Sequence, residues 1–213
     1  MSKVRFALSV SVDGYVAGPD QSVENPLGVG GEDLHAWAIE LEAWRRHHGE
    51  EGGEVNASSR VVEEVQSNVG ATVMGRNMFG GGPGPWSEVD PWSGWWGDNP
   101  PFHTPVFVIT HFPREPLQMQ GGTEFTFVTD GIESALEQAK RAAGPRDVLL
   151  GGGAKVVQQY LAAGLIDEFE LHVVPTVLGA GERLLDEVGT LELQQVRAIE
   201  APGVTHINYR VMG

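Results

Sequence analysis

The chain has 213 residues, 41% hydrophobic and 20% charged, a make-up that supports one sizeable core and predicts a single domain over residues 1–213. A formal charge of −15, from 14 Lys and Arg against 29 Asp and Glu, argues against nucleic acid as a partner, because phosphate backbones need a basic face. The absence of cysteine excludes disulfides, thiolate metal sites and catalytic thiols, so redox chemistry would come from a bound cofactor and no metal is expected.

In chain order, Val4 to Val12 alternates, is rich in β-branched residues and stops at Asp13-Gly14, the pattern of a buried strand entering a turn. This segment lacks the basic head of a signal peptide, and no apolar run approaches the roughly 20 residues of a membrane span. A cytoplasmic protein without membrane contact is expected. After Gly28 to Asp33, the spacing of Leu34, Trp37, Ala38, Leu41 and Trp44 predicts a helix over Leu34 to His48 with one apolar face. Val61, Val62 and Val65 suggest a short helix, and Ala71 to Met74 is an apolar strand closed by Gly75-Arg76, a first β-to-α junction.

Gly80 to Pro105 carries six glycines, six prolines and four of the six tryptophans with little periodicity, which marks a long structured loop. A lid or pocket wall is one reading of it, a packed surface loop or a dimer contact the other. Strands follow at Pro105 to Thr110 and Phe125 to Val128, then a helix over Ile132 to Ala143. The alternation predicts a three-layer α/β sandwich, a twisted, mostly parallel sheet with helices on both faces. Val196 to Val211 alternates and should add a C-terminal antiparallel edge.

From Asp147 to Leu161 a buried strand runs through Gly151, Gly152 and Gly153 directly into a helix. That arrangement leaves free backbone N–H groups and a positive helix end where an anion can bind, although glycines at such a turn also serve tight packing. Neither a Walker loop nor a G-x-G-x-x-G fingerprint is present.

Together with that glycine turn, Ser9 to Gly18, Thr72 to Arg76 and Val106 to Thr110 resemble, in order and spacing, the dihydrofolate reductase superfamily. The run Gly164 to Leu171, followed by Pro175 to Gly181, is similar to the branch containing the reductase domain of riboflavin biosynthesis. The resemblance implies an NADPH-dependent reductase that transfers hydride to a C=O or C=N bond of a small heterocyclic substrate. It also implies a homodimer. A dihydrofolate or pteridine reductase and a non-catalytic nucleotide-binding homologue are the alternatives.

Carried over by position, the resemblance places the cofactor phosphates on Gly75 and Arg76, and the adenosine 2′-phosphate beside Thr110, His111 and Arg114. The pyrophosphate falls on Gly151, Gly152, Gly153 and Ala154, with Lys155 reaching cofactor or substrate phosphate. Backbone groups of Ser9 and Val16 would meet the nicotinamide carboxamide. For catalysis, Asp33 matches the family's acid early in the first helix, walled in by Leu34 and Trp37 with its pKa raised. Asp33 is equally suited to cap that helix, and Glu32 is the reserve. His172 could donate to a substrate carbonyl or phosphate, or be a satisfied sheet histidine. Phe102 to Pro105 lacks the arginine that grips a folate tail.

Overall fold

The computed structural model describes residues 2–89 and 91–212. Strand β1 (Val4–Ser11) turns through Gly14 into β2 (Tyr15–Ala17), and a 3-10 turn (Gly31–His35) leads into the short helices α1 (Ala36–Ile39) and α2 (Glu42–His47). Next come α3 (Ala57–Gln66), β3 (Val69–Gly75) and α4 (Arg76–Phe79). Beyond the tryptophan-rich loop lie β4 (Pro105–Ile109), β5 (Leu117–Gln118), β6 (Glu124–Val128), α5 (Gly131–Ala143), β7 (Asp147–Gly152) and α6 (Ala154–Ala162). The chain closes with β8 (Glu168–Val174), β9 (Glu182–Arg183), β10 (Glu192–Ala201) and β11 (Val204–Met212).

Among the described residues nine strands form one sheet, in the order β10-β11-β8-β1-β7-β3-β4-β6-β5. The six strands from β8 to β6 run parallel. The C-terminal hairpin adds the expected antiparallel edge through β11, and β5 adds a second one that two residues could not announce in the sequence. Side chains alternate between the faces, as the pleat requires. On one face Phe6, Val73, Phe107, Val148 and Leu150 meet the apolar stripes of α5 and α6, including Ala135, Ala139, Val157 and Tyr160.

The opposite face is covered in two different ways. Over β8, β11 and β10 sit the short helices, with Leu34 and Trp37 against Val174 and Val204, and with Leu41, Ala43 and Val62 packed together. Over β3, β4 and β6 the cover is the tryptophan loop, whose Trp86, Trp92 and Trp96 pack with Phe79 on Met74, Val106, Val108 and Phe125. Three indoles also anchor it, donating to main-chain carbonyls: Trp86 to Phe112 (2.9 Å), Trp92 to Phe79 (2.8 Å) and Trp95 to Met78 (2.9 Å). The loop is therefore a wall of the core on this half of the sheet, where helices were expected.

The helix predicted over Leu34 to His48 is broken. Leu41 is extended (φ −76°, ψ 137°), and Glu42 N–H donates to Glu54 O (2.9 Å) while Glu54 N–H donates to Glu40 O (2.7 Å). Leu34, Ala38 and Leu41 are nonetheless all buried. The apolar spacing was satisfied by three short pieces because the returning segment 49–54 claims the backbone at Leu41, a tertiary override of helix propensity.

Candidate functional site

Parallel strands place their carboxyl ends along one edge, where open α/β sheets take ligands. Here β1, β7, β3 and β4 are neighbours, so Ser9, the glycine turn, Gly75-Arg76 and Thr110 come together although they are far apart in the chain. The register matches Met74 with Gly152 and Gly75 with Ile109. β1 pairs with β7 only over Val4 to Phe6, whereas it pairs with β8 from Arg5 to Ser11. Beyond Phe6 the ladder between β1 and β7 stops, with Ser9 further along β1 and Gly151 to Gly153 at the end of β7.

Two glycines of this edge are required by geometry. A Cβ on Gly75 would lie 2.8 Å from Val156 Cγ2 of α6, and Gly152 has φ +122°, a conformation side chains rarely adopt. Gly153 is the residue before α6, makes no side-chain cap bond, and has open space where a Cβ would be. Ala154 is buried and Lys155 exposed. Met78 of α4 lies alongside, its Sδ 3.4 Å from where Cβ atoms of Gly151 and Gly152 would stand.

Arg76 and Arg114 project from the ends of β3 and β4 onto one indole. The Arg76 guanidinium lies 3.1 Å from the Trp86 ring centre, and that of Arg114 lies 4.9 Å from Trp86 and 5.3 Å from Phe127. Arg76 Nη2 donates to Gly81 O (3.3 Å) and Gly82 O (3.0 Å), and Arg114 Nη1 donates to Trp92 O. Arg76 Nε and Nη1 are buried without any acceptor. Burial, then the charge of Arg114, push Arg76 down to about 10, and burial lowers Arg114 as well. Neither arginine forms an ion pair among the described residues, although acids outnumber bases two to one. Two partly buried cations with unfilled donors are a site for an anion. Thr110 is buried, its Oγ1 accepting from Phe112 N–H (3.2 Å), and His111 is exposed.

The candidate catalytic residues lie elsewhere. Asp33 and Glu32 are exposed on the 3-10 turn, which directs Leu34 inward instead. The walled-in carboxyl does not form, and Asp33 makes no side-chain cap bond either. His172 is buried in β8, opposite Ser9 on β1 and His206 on β11. Its Nδ1 shares a proton with His206 Nδ1 (2.8 Å), His206 Nε2 meets Ser58 Oγ (2.9 Å), and Trp37 stands edge-on to both rings while donating to Ser9 Oγ (3.1 Å). Burial, with His206 beside it, pushes His172 down to about 3; burial and Arg197 push His206 down to about 4. Burial favours the neutral form of both rings, and their Nδ1 atoms are bonded to each other. Val16, on β2, packs against the main core.

Sequence reasoning brought the glycine turn, Gly75, Arg76, Thr110 and Arg114 to the same edge. It missed Trp86 and Met78, because nothing local distinguishes Trp86 from the other tryptophans of its loop, nor marks Met78 as the neighbour of a turn that follows far downstream. The two best-formed depressions on the described surface lie away from this edge: one of about 300 Å³ against β8 and the β10–β11 turn, the other between α2 and α3. Among the described residues no group of three or more His, Asp or Glu could hold a metal, and no helix is long and apolar enough to cross a membrane.

Comparison with known proteins agrees with this fold. The profile described as the RibD C-terminal domain matches residues 2–206. The Bacillus subtilis (strain 168) protein YyaP is 33% identical over 90 residues, 41% of this chain and 47% of YyaP, so the match spans about half that relative's length. Among solved structures, a protein of Shewanella sp. PV-4 named for riboflavin biosynthesis superposes with a TM-score of 0.66 at 19% identity, covering 99% of both chains. The Thermotoga maritima diaminohydroxyphosphoribosylaminopyrimidine deaminase/5-amino-6-(5-phosphoribosylamino)uracil reductase gives 0.55 at 14% identity, covering 99% of this chain and 57% of the other. At those identities the structures speak for the fold.

Proposed function

The chain belongs to the RibD C-terminal domain family, and from that premise we propose that it is an NADPH-dependent reductase. Its substrate would be a small heterocycle bearing a C=O or C=N bond, of the kind handled by 5-amino-6-(5-phosphoribosylamino)uracil reductases. The observation that carries this reading is the juxtaposition at one sheet edge of the unbonded ends of β1 and β7, the glycine turn, and Arg76 and Arg114, which have no carboxylate among the described residues. NADPH, when bound, supplies the hydride.

The residues present fit that cofactor. Arg76 Nε and Nη1 lack acceptors, which phosphate oxygens would provide, and Gly153 opens onto free space at the start of α6, where backbone N–H groups face an anion. The unbonded ends of β1 and β7 offer main-chain donors and acceptors to a flat carboxamide-bearing ring, with Ser9 held in place by Trp37. Neither Asp33 nor His172 is assigned a bond-making step, since the first is exposed and the second is buried within the sheet with its Nδ1 against His206. A folate substrate is not proposed, because Phe102 to Pro105, where β4 begins, holds no arginine.

The test is thermal unfolding with NADPH, NADH or neither, followed by NADPH oxidation across aminopyrimidine, pterin and quinone substrates. A ligand at ~100 times its dissociation constant adds about 2.7 kcal/mol, roughly 6 °C for a chain of this size. NADPH should produce that shift and NADH little. No shift with either nucleotide would overturn the proposal.

A further inference from the structure

The tryptophan-rich loop does more at this edge than fill the core. Arg76 and Arg114 come from different strand ends, and two guanidiniums left to themselves repel each other and rotate into solvent. Their convergence needs a cause, and the shared element is Trp86. An indole face attracts a cation through its quadrupole, and this one has both guanidinium centres within 5 Å of its ring centre. The ring is itself fixed. Its Nε1 donates to Phe112 O (2.9 Å) in the segment joining Thr110 to Arg114, and its ring meets Phe79 (5.7 Å) and Phe127 (4.9 Å) in edge-to-face contacts. Loop carbonyls hold the two side chains from the other direction, Gly81 and Gly82 on Arg76, Trp92 on Arg114.

Elsewhere the arginines behave differently. Arg5, Arg45, Arg46, Arg60, Arg141, Arg183 and Arg197 each lie against a carboxylate, while the exposed Arg146 and Arg210 donate to Val69 O and Gln194 Oε1. Arg76 and Arg114 share a ring instead, with two Arg76 donors unfilled. A doubly charged phosphate monoester satisfies such a pair, and a neutral hydroxyl does not.

Resting on the reductase reading above, we infer that Trp86 is the positioning residue for cofactor choice: it holds Arg76 and Arg114 at the spacing that binds a nucleotide's 2′-phosphate, and thereby rejects nucleotides with a free 2′-hydroxyl. The tryptophan loop is then coupled to the ligand, since the same anion that fills the arginine donors ties down the carbonyls and indole that hold them.

The experiment compares adenosine 2′,5′-bisphosphate with adenosine 5′-monophosphate, which differ only in the 2′-phosphate, by calorimetric titration and intrinsic tryptophan fluorescence on the full chain. Wild-type protein should bind the bisphosphate more tightly, with a fluorescence change that the monophosphate does not produce. Trp86→Leu should weaken the bisphosphate about tenfold and leave the monophosphate unchanged. Trp86→Phe, which keeps a stacking face and guards against a folding failure, should fall between. If both variants only lower the melting temperature and the ratio of the two affinities stays at the wild-type value, Trp86 is a core filler and the inference is wrong, while the reductase reading survives. If neither nucleotide nor NADPH binds wild-type protein, both fall together.

Discussion

Two regions of this molecule place basic side chains beneath a tryptophan, and they resolve the resulting cost in opposite ways. Under Trp37, burial favours the neutral forms of His172 and His206, whose Nδ1 atoms bond to each other, with Ser58 on the far nitrogen of His206. Around Trp86, Arg76 and Arg114 stay charged, have no carboxylate among the described residues, and leave donors open. A network of neutral groups bonded to one another serves the fold, because it carries no charge that needs a counter-ion. An open one reserves its valences for a ligand, and is maintained only because the surrounding loop over-determines it.

The largest expected effect attacks the open network. Arg76→Gln should weaken NADPH about a hundredfold, near 3 kcal/mol, because it removes a charge and the buried donors aimed at phosphate. Melting temperature should hold or rise, since the like charge on Arg114 is relieved of its neighbour; calorimetry and thermal unfolding on the same samples check both halves. A variant that loses stability but not affinity would place Arg76 with the structural residues.

Acid should find the closed network next. Histidine in an unfolded chain titrates near 6.5, while folded His172 and His206 stay neutral to about 3 and about 4. The unfolded state therefore binds more protons below pH 6.5. Stability is full above that value and falls as pH drops through it, by about 2 kcal/mol per histidine at pH 5. Urea unfolding from pH 7 to 5 should show the slope, and a double His172→Leu, His206→Leu variant should reduce it whatever its absolute stability, leaving the part carried by His35 and His47, which burial also lowers.

A smaller effect separates packing from binding at the edge between the regions. Gly75→Ala puts a methyl 2.8 Å from Val156 Cγ2 and should cost about 1–2 kcal/mol, with partial recovery in Gly75→Ala, Val156→Ala measured by the same unfolding assay. The smallest effect lies outside both networks. Asp13 accepts from the N–H groups of Leu178 and Gly179 (3.1 and 2.7 Å), and its hydrogen bond with Ser11, then these backbone bonds, lower it from 3.8 to about 2. Its contribution is complete above pH 3.8 and disappears as pH falls through about 2. Asp13→Asn should slightly speed hydrogen exchange at Leu178 and Gly179 at neutral pH and be indistinguishable from wild type in strong acid.

Much of the fold was readable from short stretches. β1, β3, β4, β6 and β7 announce themselves as apolar runs closed by turns, and α5 and α6 carry their buried stripes in sequence. The glycine turn and the arginines at the strand ends were visible for the same reason. Other features were not. The two-residue strands β5 and β9 are too short to carry a pattern, and the helix expected through Leu41 gave way to a backbone contact with Glu54. Asp33 looked enclosed because Leu34 and Trp37 flank it in sequence, yet a 3-10 turn sent those neighbours inward and left it outside.

What the sequence determined by itself is the α/β alternation and the identity of the residues at each strand's carboxyl end. Hydrophobic period and backbone permission belong to a few consecutive residues and need no distant partner. What only the tertiary structure decided is which of those residues meet. Trp86 reaches Arg76 and Arg114, and His172 reaches His206, because the sheet order makes neighbours of strands distant in the chain. Burial and unfilled hydrogen bonds, which separate a binding site from a packed core, come into existence only with those contacts.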